Sequence, residues 1–121
     1  VKFQEDFIKE EGIEKKIKGR KFLLKEFTGQ ETDDMTNTYI KVIDEDRLDI
    51  NIKARNEYLL KYGVLDAPYT NVEGKEFHRL NPDERIAILQ KLKPAIRNEL
   101  IQALMEINGL KKEVEEENQK K

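Results

Sequence analysis

Residues 81–108 read NPDERIAILQKLKPAIRNELIQALMEIN, and the fold turns on how this run is read. Taken as helix, it sets Leu89, Leu92, Ile96, Leu100, Ala103 and Ile107 three or four residues apart, so all six share one stripe. Leu110 extends that seam beyond Gly109. The start is well marked: Asn81 is a capping residue, Pro82 suits the first helical position, where a missing N–H costs nothing, and Glu84 stands three after the cap. Asn108-Gly109 supplies the stop, a residue tolerant of positive φ just past the last periodic apolar position. Pro94 interrupts the run by removing a backbone donor and disfavouring α at Lys93. The spacing therefore predicts two helices, about Pro82 to Leu92 and Pro94 to Asn108, or one kinked helix. A stripe this continuous must be covered, either by the rest of the chain or by a partner helix or a second copy, and the sequence leaves both open.

Working outward, the 121 residues fit one domain with a modest core. Charged residues make up 40% against 37% hydrophobic, so several segments must be solvated faces or tails. The 23 basic and 25 acidic residues nearly cancel, which removes long-range attraction to nucleic acid or an anionic membrane. Cysteine is absent, which excludes disulfides and thiolate metal sites. No apolar run approaches the roughly 18 residues a membrane span needs. A cytoplasmic protein is expected.

Taken in order, residues 1–12 carry Phe3 and Phe7 at i, i+4, giving a short amphipathic helix or an ordered arm. Between Ile13 and Phe27, Ile13 and Ile17 alternate with charges, and Gly19-Arg20 offers a two-residue turn before the apolar run Lys21 to Phe27. This predicts a β-hairpin, with one continuous helix as the competing reading. Thr28 with Glu31 forms a second capping box, opening a helix with Met35, Tyr39 and Val42 on its buried side. After an acidic break at Asp44 to Asp46, a third helix is expected from about Asp49 or Ile50 to Tyr62, with Ile52, Leu59 and Tyr62 on one face. Val64 to Leu80 reads as a long loop, turned at Asp66-Ala67-Pro68-Tyr69 and Glu73-Gly74, with Phe77 and Leu80 folding back onto the core. Residues 110–121 are mostly charged and read as a frayed helix or disordered tail. The fold class expected is mainly α: a compact bundle of short helices in residues 1–109 with a small N-terminal hairpin over about 13–27.

Catalytic chemistry finds little to work with. His78 is the only imidazole, and without serine or cysteine the usual nucleophile triads cannot form. Asp44, Asp46 and Asp49 resemble the opening of a calcium loop, but Asp49 stands where glycine is needed and Arg55 where the bidentate glutamate belongs. The six glycines stand apart, so there is no phosphate-cradling loop. No enzyme, cofactor or metal is expected. Lys15, Lys16, Lys18, Arg20 and Lys21 cluster on the hairpin and make nucleic-acid binding or a regulatory role the alternative function, offset by Glu10, Glu11, Glu14 and Glu26 nearby.

One pattern covers most of the chain: a hairpin ending in Lys21 to Phe27, the helix start at Thr28-Gly29-Gln30-Glu31, the run Val64-Leu65-Asp66-Ala67-Pro68-Tyr69, Gly74 and Phe77, then Leu80 to Arg85 and the leucine and isoleucine run to Asn108. In this order it resembles a tail assembly chaperone of long-tailed bacteriophages or proviruses. The resemblance implies a small, mostly helical, non-enzymatic protein in the host cell cytoplasm. It would bind the tape measure protein and help recruit tail tube subunits during virion assembly. On that reading Leu89, Leu92, Ile96, Leu100, Ala103, Ile107 and Leu110 are the protein-binding residues, with the Val64 to Leu80 loop as a second candidate surface. It also implies a longer frameshifted product, for which the lysine pairs Lys111-Lys112 and Lys120-Lys121 would suit an adenine-rich slippery site.

Overall fold

The computed structural model describes residues 6–110. Two strands open it, β1 (Ile13–Ile17) and β2 (Arg20–Leu24), followed by helix α1 (Gly29–Tyr39) and a second pair, β3 (Ile40–Asp44) and β4 (Arg47–Ile50). Helix α2 (Ile52–Gly63) leads into β5 (Val64–Asp66), a 3-10 turn at Phe77–Arg79, α3 (Pro82–Leu89) and α4 (Pro94–Ile107). The strands form two antiparallel sheets, one ordered β1-β2-β5 and the other β3-β4. With about 47% helix and 23% strand, the protein is a mixed α and β fold. That overturns the expectation of a mainly α bundle, because the strand share is already that of an average globular domain.

The capping chemistry falls where the sequence places it. Thr28 accepts from the Glu31 N–H at 3.2 Å while Glu31 accepts from the Thr28 N–H at 3.0 Å. Asn81 and Glu84 repeat the exchange at the start of α3, with Pro82 in the first turn. At the end of α4, Gly109 takes φ +66, and Leu110 N–H reaches the Met105 carbonyl at 2.8 Å while Gly109 N–H reaches Glu106 at 3.2 Å. This is the paired closure of a helix whose stop residue is left-handed. Pro94 does split the long run, and Lys93 before it is extended at ψ 142. Helix α3 nevertheless ends at Leu89, three residues early, because Lys91 and Leu92 bond tightly back to Ile88 and Leu89.

Four elements differ from what the sequence pattern predicts. The first hairpin turns on Lys18-Gly19, with φ +48 and +81, so that Ile17 pairs with Arg20; both central residues are left-handed, which matches the strand twist. Residues 40–50, expected to finish one helix and start the next, form the β3-β4 ribbon instead. Val42 is 74% exposed on that ribbon and is not on the buried side of α1. The long loop from Val64 contributes β5, which pairs with β2 through Leu23 and Leu24. On α2 the inward residues are Arg55, Leu59, Leu60 and Gly63, whereas Tyr62 is exposed and stacks on Tyr58.

One core joins these parts. Phe22 and Leu24 of β2, Val64, Leu59 and Leu60, Leu89, and Leu100 and Leu104 of α4 are all fully buried in it. Phe77 and Leu80 also turn inward, as their place before the Asn81 cap suggests. Among the described residues no helix is long and apolar enough to cross a membrane. The expected tail, apart from Leu110, and Phe3 lie outside the described residues.

Candidate functional site

The helical seam is occupied by the protein itself. Leu89, Ile96, Leu100 and Ala103 are buried, and Leu92, Ile107 and Leu110 are half-buried and packed against the same core. Ile101, Leu104 and Met105 are buried beside them, so α4 is wrapped over more than one stripe. Four of the seven seam residues are thus core, and Leu92, Ile107 and Leu110 keep part of their surface open.

The five basic residues of the first hairpin do not make one patch. Cross-strand pairing puts Lys16 opposite Lys21 on one face, and Lys15 opposite Phe22 on the other, with Arg20 opposite Ile17. Lys18 pairs with Glu99 at 3.3 Å and Lys21 with Glu14 at 2.9 Å, while Arg20 donates to the Lys18 carbonyl at 2.6 Å. The charge is split between faces and partly neutralised, which is a poor track for a phosphate backbone.

His78 stands in an open cleft with Asp66, Tyr69, Thr70 and Glu76. Its Nδ1 lies 3.6 Å from an Asp66 oxygen and its Nε2 3.3 Å from a Glu76 oxygen. Burial pushes the Tyr69 phenol above its ordinary value, against a smaller opposing pull from Arg20, so this hydroxyl stays protonated at neutral pH. The ring has a carboxylate beside each nitrogen, and the Tyr69 and Thr70 hydroxyls line the same cleft. Among the described residues no three potential ligands converge as a metal site.

Among the described residues Phe7 and Tyr62 are exposed singly, and other exposed apolar side chains lie in two places. The first is the tip of the 69–76 loop. Asn71 braces it: its side-chain oxygen accepts from the Glu73 N–H at 3.0 Å and the Lys75 N–H at 2.9 Å, its own N–H reaches the Lys75 carbonyl, and Gly74 completes the turn at φ +83. Thr70 and Glu76 bridge at the loop's base. This rigid turn holds Val72 fully exposed, over a cleft of about 450 Å³ whose other wall is Glu84, Ala87, Ile88 and Lys91 of α3. The arrangement is an apolar trough with a carboxylate near one end of its helical wall and an ammonium at the other. The second place is the β3-β4 ribbon, where Val42, Ile43 and Leu48 are exposed.

The Val64 to Leu80 loop is a candidate surface on sequence grounds, but nothing there singles out Val72, because one valine between turn residues carries no periodicity. The available signal was an Asn71-to-Gly74 turn with an apolar residue at its tip, where solvated residues are the rule. No protein-family model, curated protein or solved structure matches this chain.

Proposed function

We propose that this protein is a non-enzymatic tail assembly chaperone of a phage or provirus, acting in the host cell cytoplasm. It binds an amphipathic helix of the tape measure protein and helps recruit tail tube subunits during assembly. The observation that supports a protein-binding role is the braced exposure of Val72 beside Ile88: a large apolar side chain held in water by a turn with four internal hydrogen bonds is pre-organised for contact. The binding surface is thus moved from the seam, which is core, to the trough between the 69–76 loop and α3. A helix laid there places apolar residues on Val72, Ala87 and Ile88, with its charged rim meeting Glu84 and Lys91.

Co-expression with a candidate tape measure protein, followed by size exclusion at low and high salt, tests this reading. An apolar capture survives high salt, whereas a phosphate-driven contact weakens steeply. The complex is expected to persist and to be lost on Val72→Asp, a change at a fully exposed side chain that leaves the circular dichroism spectrum intact. A complex indifferent to both Val72→Asp and Ile88→Asp removes the trough as the site, and no complex with any tape measure protein removes the chaperone reading.

A further inference from the structure

The β3-β4 ribbon is a sheet of only two strands, and no other strand pairs with either edge among the described residues. Such ribbons are marginal alone, and free edges are places where further strands add. The two edges here are not alike. On β3 the register slips between Val42 and Asp44, and Lys41 adds a charge; irregularity and lysine are both devices that discourage pairing. β4, with Arg47, Leu48 and Asp49 all exposed, has neither.

The hydrogen-bond phase of β4 follows from one contact. Asn51 N–H donates to the Tyr39 carbonyl at 2.7 Å, which makes the neighbouring pair Ile40 and Ile50 a non-hydrogen-bonded one. Alternation then makes Lys41 and Asp49 a hydrogen-bonded pair and Val42 and Leu48 a non-hydrogen-bonded one. The Leu48 N–H and C=O therefore point away from β3, out of the free edge.

We infer that β4 is the contact between two copies of this chain, paired antiparallel about a two-fold axis through Leu48. In that register each Leu48 N–H donates to the Leu48 carbonyl of the other copy. Arg47 of each copy, which also stands 3.5 Å from Asp44 of its own ribbon, then lies directly opposite Asp49 of the other, in the closely spaced non-hydrogen-bonded positions, so that each guanidinium is shared between two carboxylates on one face. The opposite face brings the two Leu48 side chains together, flanked by the two Val42 side chains, and covers the apolar surface that these two residues expose, while Ile43 sits in the register slip of β3 outside the contact. Slipping the register by one residue sets Leu48 against Asp49 and Arg47 against Ile50, losing both gains at once. Arg47, Leu48 and Asp49 of the four-residue β4 are thus matched in hydrogen bonding, charge and apolarity to their own copies. The contact is small, so the dimer is weak and reversible.

Sedimentation equilibrium of the chain alone, from low micromolar to millimolar concentration, reads this directly and needs no tail protein, so its result is separate from the chaperone reading. A reversible monomer–dimer equilibrium is expected. Leu48→Pro removes a donor that faces outward, so the ribbon survives while the dimer is lost. Leu48→Asp, at an exposed side chain, sets two carboxylates opposite each other on the two-fold axis and is expected to weaken the dimer by about tenfold or more. A chain that stays monomeric throughout, or a dimer untouched by Leu48→Pro or by Leu48→Asp, would overturn the inference.

Discussion

Asn108 does more than end a helix. Its side-chain oxygen accepts the Phe27 N–H at 2.7 Å, and its amide donates to the Lys25 carbonyl at 3.2 Å and the Leu104 carbonyl at 2.9 Å. One residue thereby ties the end of α4 to the chain leaving β2, some eighty positions away in sequence. Asn108→Ala leaves the partly buried Phe27 donor without that partner and is expected to cost about 2 kcal/mol, read by urea denaturation. Glu31 makes a second residue-scale case. Burial pushes its carboxyl up, but the Lys25 ammonium together with the Thr28 N–H and hydroxyl outweighs this and holds it below its ordinary value of 4.5. A lowered folded pKa stabilises above 4.5 and loses that contribution as pH falls through the folded value. Wild type is therefore expected to exceed Glu31→Gln in stability at neutral pH, with the gap closing in acid. Urea titrations at both ends of that range check it.

Among the elements, α2 and α4 meet at a glycine. A Cβ on Gly63 would stand 2.7 Å from Leu104 Cδ2, a fully buried side chain with nowhere to retreat. Gly63→Ala is expected to cost about 1–3 kcal/mol through overpacking, visible as a lowered thermal midpoint. This scale also shows where local sequence signals stop. Capping boxes at Thr28 and Asn81 and the Asn108-Gly109 stop are chemistry within four residues, and they are legible. The β3-β4 ribbon is not: Met35, Tyr39 and Val42 keep helical spacing, so nothing local says that the backbone changes state at Ile40. Its alternation, Ile40 and Val42 on one strand and Leu48 and Ile50 on the other, is spread over two short strands that only their pairing makes visible. β5 is three residues long and exists because β2 offers it an edge. The Lys18-Gly19 turn was one residue from the expected pair, a shift set by Ile17 burying opposite Arg20.

At the scale of the whole molecule, the seam joins the first sheet and the helices in one core. Leu89, Leu100 and Leu104 lie in a single cluster with Phe22, Leu59 and Val64, drawn from strand, helix and strand. Leu100→Ala should then cost about 2–5 kcal/mol, and Leu100→Asp should unfold the chain, both followed by circular dichroism. Sequence periodicity found these residues and could not assign their cover, since a stripe that packs on its own sheet and one that packs on a partner have the same spacing. The trough at Val72 carries no such pattern and needed the fold to bring loop and helix together.

Amide hydrogen exchange of the chain, alone and bound to a tape measure protein, tests the division between core seam and open trough most directly. Amides from Leu100 to Leu104 should be among the slowest in the free protein and unchanged on binding, while those of 71–75 and 87–91 slow in the complex. Fast exchange along α4 in the free chain, slowed by the partner with no change at the trough, would contradict the account.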